Sequence, residues 1–293
     1  MNIILKKAPL TQALNVMRQI YKDEYNFYPR TWFLPEQLRE FMSECRYIHE
    51  KQFKAKEALT TFILKPNDGS QGEGIFLIKD AQEYLSLVPQ RNRPRPYIVQ
   101  EYIHNPFLID GLKSDLRLYV VIATVKPLEI YLCDEGLVRF ATINYQFPDE
   151  SNLRSSYMHL TNYSINKKNE DYKFYDKEAG CAVKVNVDNK NQTESITSTT
   201  NTNAASPDQN ESNEGSKRKL TSVLAYIEAK GYNVNKIRDQ IDDLVAKTVL
   251  ALLPEINVNT AFESVNKPTR HKTSYFQVLT FSIKICFLVY LKN

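Results

Sequence analysis

The chain has 293 residues, 42% hydrophobic and 25% charged, with a net charge of +4 at pH 7. That is an ordinary composition for a soluble globular protein with a real core, arranged as one large domain or two small ones. The near balance of charge excludes a polycation that coats nucleic acid. Four scattered cysteines (Cys45, Cys133, Cys181 and Cys286) form no C-x-x-C pair and imply reduced thiols in a cytosolic setting, with no zinc site and no disulfide framework. Lys6, Lys7 and Pro9 break the apolar start, so no secretory signal is expected. The apolar run Ile285–Leu291 is too short to span a bilayer. Two basic runs, Arg91/Arg93/Arg95 and Lys217-Arg218-Lys219, are either solvated surface or a place to meet an acidic partner.

From Tyr25 to Asn169 the chain is dense in apolar and aromatic residues. Phe62–Lys65 and Gly74–Ile78 read as strands flanking a glycine-containing loop, and Tyr97–Ile103 is a further β-rich run. Leu116–Val125, Glu129–Cys133 and Arg139–Thr142 continue the strand pattern. Tyr172–Ser216 turns polar and offers little apolar surface against ordering entropy, which predicts a disordered insertion. Leu220, Val223, Leu224 and Ile227 then mark a helix stopped by Gly231. Ile237, Ile241, Leu244, Val245 and Leu252 mark a second helix, predicted to end at Pro254. The fold class is α+β, a mixed sheet with packed helices.

Within this frame several segments carry chemistry. Lys65 to Ile75 (KPNDGSQGEGI) places three glycines between two strands, where backbone amides can approach phosphate oxygens. The glycine order fits neither a Rossmann fingerprint nor a Walker A loop, and a plain hairpin turn is the alternative. Gln100-Glu101-Tyr102-Ile103 ends a strand, where an adenine can pair with backbone. Lys113, Asp115 and Arg117 alternate, so an extended chain turns all three the same way, toward a nucleotide or toward solvent. Arg139 sits in the apolar run Gly136–Ala141 and requires an anionic partner, a protein carboxylate or a ligand. In His159–Lys167, Thr161 and Asn162 can reach phosphate or ribose oxygens, and His159 alone reads as a structural histidine.

Taken together, F-Y-P-R-T-W-F-L-P (27–35), K-P-x4-Q-G-x-G-I (65–75), Q-x-Y-I (100–103), P-F-L-I-D-G-x-K-x-D-L-R-x-Y-V (106–120), E-G-L-x-R-F-A-T (135–142) and H-L-T-N-Y-S-I-N-K (159–167) resemble the tubulin tyrosine ligase-like family. Gly215–Leu220 is similar to its polyglutamylase branch. The resemblance implies an ATP-grasp fold, incomplete at both ends. Residues 1–24 are then a remnant of the family's N-terminal region, 25–170 the central nucleotide-binding region, 171–216 a polar insertion, and 217–293 the C-terminal region, divergent after about 254. It implies that Lys65, Gln71, Gly72, Gln100, Glu101, Tyr102, Ile103, Lys113, Asp115, Thr161 and Asn162 contact ATP. Arg117 and Arg139 take the catalytic roles, and Arg139, Tyr163, Ser164 and Lys217 hold the incoming glutamate. The implied partners are tubulin or microtubules and free L-glutamate, with no nucleic acid and no membrane. The implied setting is the cytoplasm and cytoskeleton, including the cilium or basal body. The family's Mg²⁺ ligands, an E-V-N motif and an upstream Asp, have no counterpart here. Tyr275–Ile283 resembles the preceding segment with Thr280 for Gly and Ser282 for Asp. No metal ligand is assigned, and this form is expected to be inactive in glutamate transfer. A non-catalytic nucleotide- or microtubule-binding pseudoenzyme and a tubulin glycine ligase are the alternatives.

Overall fold

The computed structural model describes residues 7–88, 95–175, 182–184, 215–266 and 277–283. Most of the segment predicted to be disordered lies outside these residues, as do Arg91, Arg93 and the run Ile285–Leu291. In chain order the elements are α1 (Lys7–Ile20), β1 (Thr31–Leu34), α2 (Leu38–Ala55), β2 (Phe62–Pro66), β3 (Phe76–Ile78), α3 (Ala81–Leu87), β4 (Tyr97–Glu101), β5 (Leu108–Ile109), β6 (Leu112–Val125), β7 (Leu128–Leu132) and β8 (Leu137–Phe140). There follow α4 (Ser156–His159), α5 (Tyr163–Asn166), β9 (Lys173–Tyr175), β10 (Ala182–Lys184), β11 (Lys217–Lys219), α6 (Leu220–Ala229), α7 (Val234–Asn266) and β12 (Gln277–Ile283).

The first sheet has the antiparallel order β1-β4-β2-β3. Alternation along β2 sends Phe62 and Leu64 to one face, where they join Trp32, Ile78 and Val99 against α2 and α3. Helix α2 buries Phe41, Cys45 and Ile48, a spacing of four and three residues that keeps one face inward. Phe41 meets Trp32 and Phe62 with ring centroids 5.3 and 5.1 Å apart. Helix α3 starts at a capping box, in which the Gln82 N–H donates to Asp80 Oδ1 (2.8 Å) and the Asp80 N–H to Glu83 Oε1 (3.0 Å). On the other face of the sheet, Ile63 and Leu77 cluster with Tyr102 and Leu160.

The second sheet is built around the long strand β6. Strands β8 and β7 pair with β6 along its length, β12 pairs with it over Leu116–Ile122, and β11 extends β8. Leu116, Leu118, Val120 and Ile122 pack with Leu224, Ile227, Ile241 and Val245 of α6 and α7 into the largest core. Gly231, at φ +87°, follows α6 as predicted from its position. Mixed α and β structure with antiparallel sheets agrees with the class read from the sequence.

Several boundaries need correction: β8 spans Leu137–Phe140 rather than Arg139–Thr142, β4 ends at Glu101 rather than Ile103, and β6 begins at Leu112 rather than Leu116. Strand β3 begins at Phe76 rather than Gly74, because Gly74 takes φ +68° and completes the turn. Helix α7 does not end at Pro254 but runs through it to Asn266. Proline removes only the hydrogen bond to the carbonyl of Leu250, a residue 48% exposed and open to water. Leu252 and Ile256, buried on either side, hold the helix to the sheet.

Helix α1 and the segment after it tie the two halves together. The Lys7 ammonium donates to the carbonyl oxygens of Pro66 and Gly69, both at 2.7 Å. At its other end the Tyr25 hydroxyl donates to the Lys247 carbonyl of α7 (3.1 Å), and Lys247 pairs with Glu24 at 2.5 Å.

Candidate functional site

The predicted site residues lie on β2, on β4 and just after it, on β6, β8 and β11, on the glycine loop, and on the segment from Thr161 to α5. Lys65, near the end of β2, donates to Gln100 Oε1 at 2.8 Å, and Gln100 Nε2 donates to Thr31 Oγ1 at 2.8 Å. Three neighbouring antiparallel strands thereby fix the Lys65 head. The glycine loop then turns through positive φ at Gln71 (58°), Gly72 (89°) and Gly74 (68°). A Cβ on Gly72 would lie 2.4 Å from Ile165 Cδ1 and 3.0 Å from Asn162 Cγ, so glycine is what lets the loop tip meet α5. The Ser164 hydroxyl donates to the Gln71 carbonyl at 2.6 Å and fastens the same contact. At the base of the loop, Lys7 holds two carbonyls and Arg95 pairs with Asp68 at 2.7 Å. Burial lowers the pKa of Lys7, against the opposing pull of Asp68.

A second wall is β6. Lys113, Asp115 and Arg117 lie on one side of this extended strand, as their alternation requires. Lys113 is fully buried; its ammonium donates to the Tyr102 hydroxyl and lies 3.8 Å from the centre of that ring. The β6–β8 register sets Asp115 opposite Arg139. Their side chains form a fork, Nε to Oδ1 at 2.9 Å and Nη2 to Oδ2 at 2.5 Å. The anionic partner that Arg139 requires is thus a protein carboxylate. Arg117 is half-buried, and its pKa is lowered by burial and then by Arg139, with Asp115 opposing both. Three cations and one carboxylate on this wall leave positive charge in excess, which suits an anionic ligand.

Tyr102 lies between the walls. Its hydroxyl is 3.0 Å from His159 Nδ1, and its pKa is raised chiefly by burial. Burial also pushes Tyr145 up to about 12. His159 Nε2 lies 3.1 Å from the Asn152 carbonyl oxygen, so this histidine is tied into the structure at both ring nitrogens. Thr161 is buried beside it. The Asn162 carbonyl accepts from Asn166 Nδ2 at 3.1 Å.

Lys217 stands opposite Arg139 in the β11–β8 register, and its ammonium is 5.9 Å from the centre of the exposed Tyr163 ring. Lys167 approaches the same ring at 5.4 Å. Ser164 is spent on the loop contact already described. Glu101 differs from the rest of its segment. Its carboxylate turns to Arg30 (2.9 Å to Nε and 2.6 Å to Nη2), and only its backbone continues along the cleft strand. Ile103 lies two residues beyond the end of β4.

Three residues of the site escaped sequence reasoning, Arg30, Tyr145 and Asn166, while Arg218, read there as part of a basic run, is buried and paired rather than solvated. Asn166 donates to the Leu160 carbonyl (2.7 Å) and accepts from the Thr142 amide (3.0 Å), fixing the turn that carries Thr161 and Asn162. Arg218 is buried against Asp110 (3.0 Å) and the Phe140 ring (4.2 Å), which seats β11. Arg30 and Asn166 sit inside quoted motifs and carried that much signal; Tyr145 carried none. Among the described residues no three His, Cys, Asp or Glu side chains gather as a metal-binding group.

The chain matches the tubulin-tyrosine ligase family over residues 1–202. It is 38% identical over 284 residues to tubulin polyglutamylase TTLL11 of Mus musculus, covering 97% of this chain and 33% of that protein. It is 36% identical over 257 residues to tubulin polyglutamylase ttll-11 of Caenorhabditis elegans, covering 87% of this chain and 31% of that protein. With tubulin polyglutamylase TTLL7 of Xenopus tropicalis the identity is 35% over 291 residues, covering 97% and 26%. The chain spans about a third or less of the length of these curated relatives. The extent of the family match, over residues that include both walls of the cleft, settles the ancestry: the chain belongs to the tubulin-tyrosine ligase family.

Proposed function

We propose that this chain is an ATP-dependent tubulin polyglutamylase, a carboxylate–amine ligase on an ATP-grasp fold that works on the microtubule cytoskeleton. One observation carries the reading. Gln100 holds the Lys65 ammonium, the Gly72 turn packs on Asn162 and Ile165, and β6 carries Lys113, Arg117 and the Asp115–Arg139 pair, a set of groups with positive charge in excess. The names of the relatives, all tubulin polyglutamylases, give the substrate class.

The donor set fits a nucleotide. Lys65 and the glycine turn receive the phosphates, the Gln100–Ile103 backbone receives the base, and Thr161 and Asn162 the ribose or phosphate oxygens. ATP, when bound, would supply its γ-phosphoryl group to a side-chain carboxylate on the tubulin tail and leave as ADP; the amine of free glutamate would then lose a proton and displace phosphate from the acyl phosphate, forming an isopeptide bond. Arg117, held half-buried beside Arg139, stabilises the negative charge that develops there. Lys217, Tyr163 and Arg139 hold the incoming amino acid, with Lys217 and Arg139 side by side in register. Ser164, given to the Gln71 carbonyl, couples this end of the cleft to the loop. No residue of this chain is assigned to Mg²⁺, and among the described residues no three His, Cys, Asp or Glu side chains gather as a metal-binding group.

The test is ATP binding by the purified chain, followed by radiolabelled glutamate with microtubules. A rise in melting temperature with ATP is expected. ATP-dependent label on tubulin would carry the ligase reading and overturn the inactivity expected of this form, whereas ATP binding without label would leave a nucleotide-binding pseudoenzyme. A well-folded sample whose melting ignores ATP overturns the reading. Label appearing equally with glycine in place of glutamate redirects it to a glycine ligase.

A further inference from the structure

His159 is buried, belongs to a motif assigned to the nucleotide, and yet has both ring nitrogens engaged by protein groups. Its partners fix its hydrogen-bonding roles. The Asn152 carbonyl oxygen, 3.1 Å from Nε2, can only accept, so Nε2 carries the proton. Asn152 Oδ1, at 3.2 Å from the same nitrogen, accepts from the Asp149 amide and is an acceptor too. Nδ1 is then the acceptor, and the Tyr102 hydroxyl at 3.0 Å donates to it. The Tyr102 oxygen accepts from the Lys113 ammonium, and the same hydroxyl hydrogen-bonds Tyr145, so His159 Nδ1 is one of the groups that orient it. Tyr145 closes the other side of the group: its hydroxyl donates to the His104 carbonyl at 2.6 Å, and its ring centre is 5.4 Å from the Lys113 nitrogen. The order Asn152, His159, Tyr102, Lys113 thus runs in one direction of donation, from the cation inward to a backbone carbonyl.

We propose that His159 is a positioning residue that acts through Tyr102 to hold the Lys113 ammonium at the floor of the cleft, where it serves the nucleotide. This rests on the nucleotide reading of the cleft and adds a residue to it. Lysine has a long stem and a buried cation without oriented acceptors is costly, so the relay sets where that charge stands. The relay joins two neighbouring motifs, those of Tyr102 and Lys113, to a third 57 residues beyond Tyr102, which accounts for a histidine that touches no reacting atom beside Thr161 and Asn162.

Two substitutions separate this role from packing. His159→Asn places an amide oxygen near the position of Nδ1 and keeps the acceptor for Tyr102. His159→Gln reaches Nε2 instead and keeps only the donor to Asn152. ATP affinity of the full chain should fall about tenfold in His159→Gln and in Tyr102→Phe, and stay within about twofold of wild type in His159→Asn. Tyr102→Phe retains the ring and tests the relay should His159→Gln not fold. The ¹⁵N spectrum of His159 reports the tautomer with no nucleotide added, and the Nε2–H form is expected. An Nδ1–H form overturns the relay, as does unchanged ATP affinity in Tyr102→Phe or an equal loss in both His159 variants. A wild-type chain with the Nε2–H tautomer that ignores ATP overturns the positioning role together with the nucleotide reading, while leaving the hydrogen-bond order itself intact.

Discussion

Strand β6 has two faces that are stabilised in different ways. Leu116, Leu118, Val120 and Ile122 are at most 1% exposed and rest on α6 and α7, whereas Lys113, Asp115 and Arg117 on the other side meet Tyr102, Arg139 and one another's fields. The first face is held by apolar area, which is non-directional and forgiving of volume-conserving change. The second is held by pairing, where removal of one partner strands the other. A single strand therefore separates stability from chemistry by the alternation of its side chains, and substitutions on the two sides should fail in different ways.

The most severe test of that contrast is Arg139→Met. It leaves Asp115, 1% exposed, without its fork and should cost about 3–5 kcal/mol in urea denaturation. Adding Asp115→Asn should recover much of that stability without restoring ATP binding; recovery of both would erase the distinction between the faces. On the apolar side, Leu118→Ala should cost about 3 kcal/mol through the cavity it leaves, with ATP affinity unchanged while the chain is folded. Loss of ATP binding from a folded Leu118→Ala chain would mean that the faces are coupled. Gly72→Ala is smaller, about 1–2 kcal/mol for a side chain at φ +89°, but should weaken ATP binding because the loop tip must leave α5. The gentlest change is Lys217→Met, at an exposed position, which should alter stability by no more than about 0.5 kcal/mol. Its effect should appear as weaker glutamate binding to the ATP-loaded chain, and an unchanged glutamate affinity would remove Lys217 from the amino-acid end.

How much of this was visible in the chain itself differs between scaffold and site. The β-branched runs around Ile63, Val99 and Val121 and the period of Leu220–Ile227 reported strands and a helix directly, because burial on one face imposes those periods. Helix α2 was not read, since Phe41, Cys45 and Ile48 are diluted by charged neighbours. Pro254 misled because a local rule was overridden by buried contacts on both sides of it. In the site, the need of Arg139 for an anion was legible from its apolar setting. That the anion is Asp115, 24 residues earlier, depends on the β6–β8 register and is a property of pairing rather than of either segment. The same holds for Lys113 and Tyr102, and for the contact between Gly72 and α5.

One small junction has a practical consequence. The Ser216 amide donates to the Lys173 carbonyl and the Lys173 amide donates to Ser216 Oγ, both at 3.0 Å, so the chain departs after β9 and returns at β11 through adjacent points. Closure at that seam makes the span between them nearly indifferent to length, since each doubling of a loop adds only about 0.6 kcal/mol. A fluorescent protein or affinity tag grafted between positions 190 and 205 should leave Lys217 beside Arg139, giving a reporter inserted within the chain rather than hung from an end.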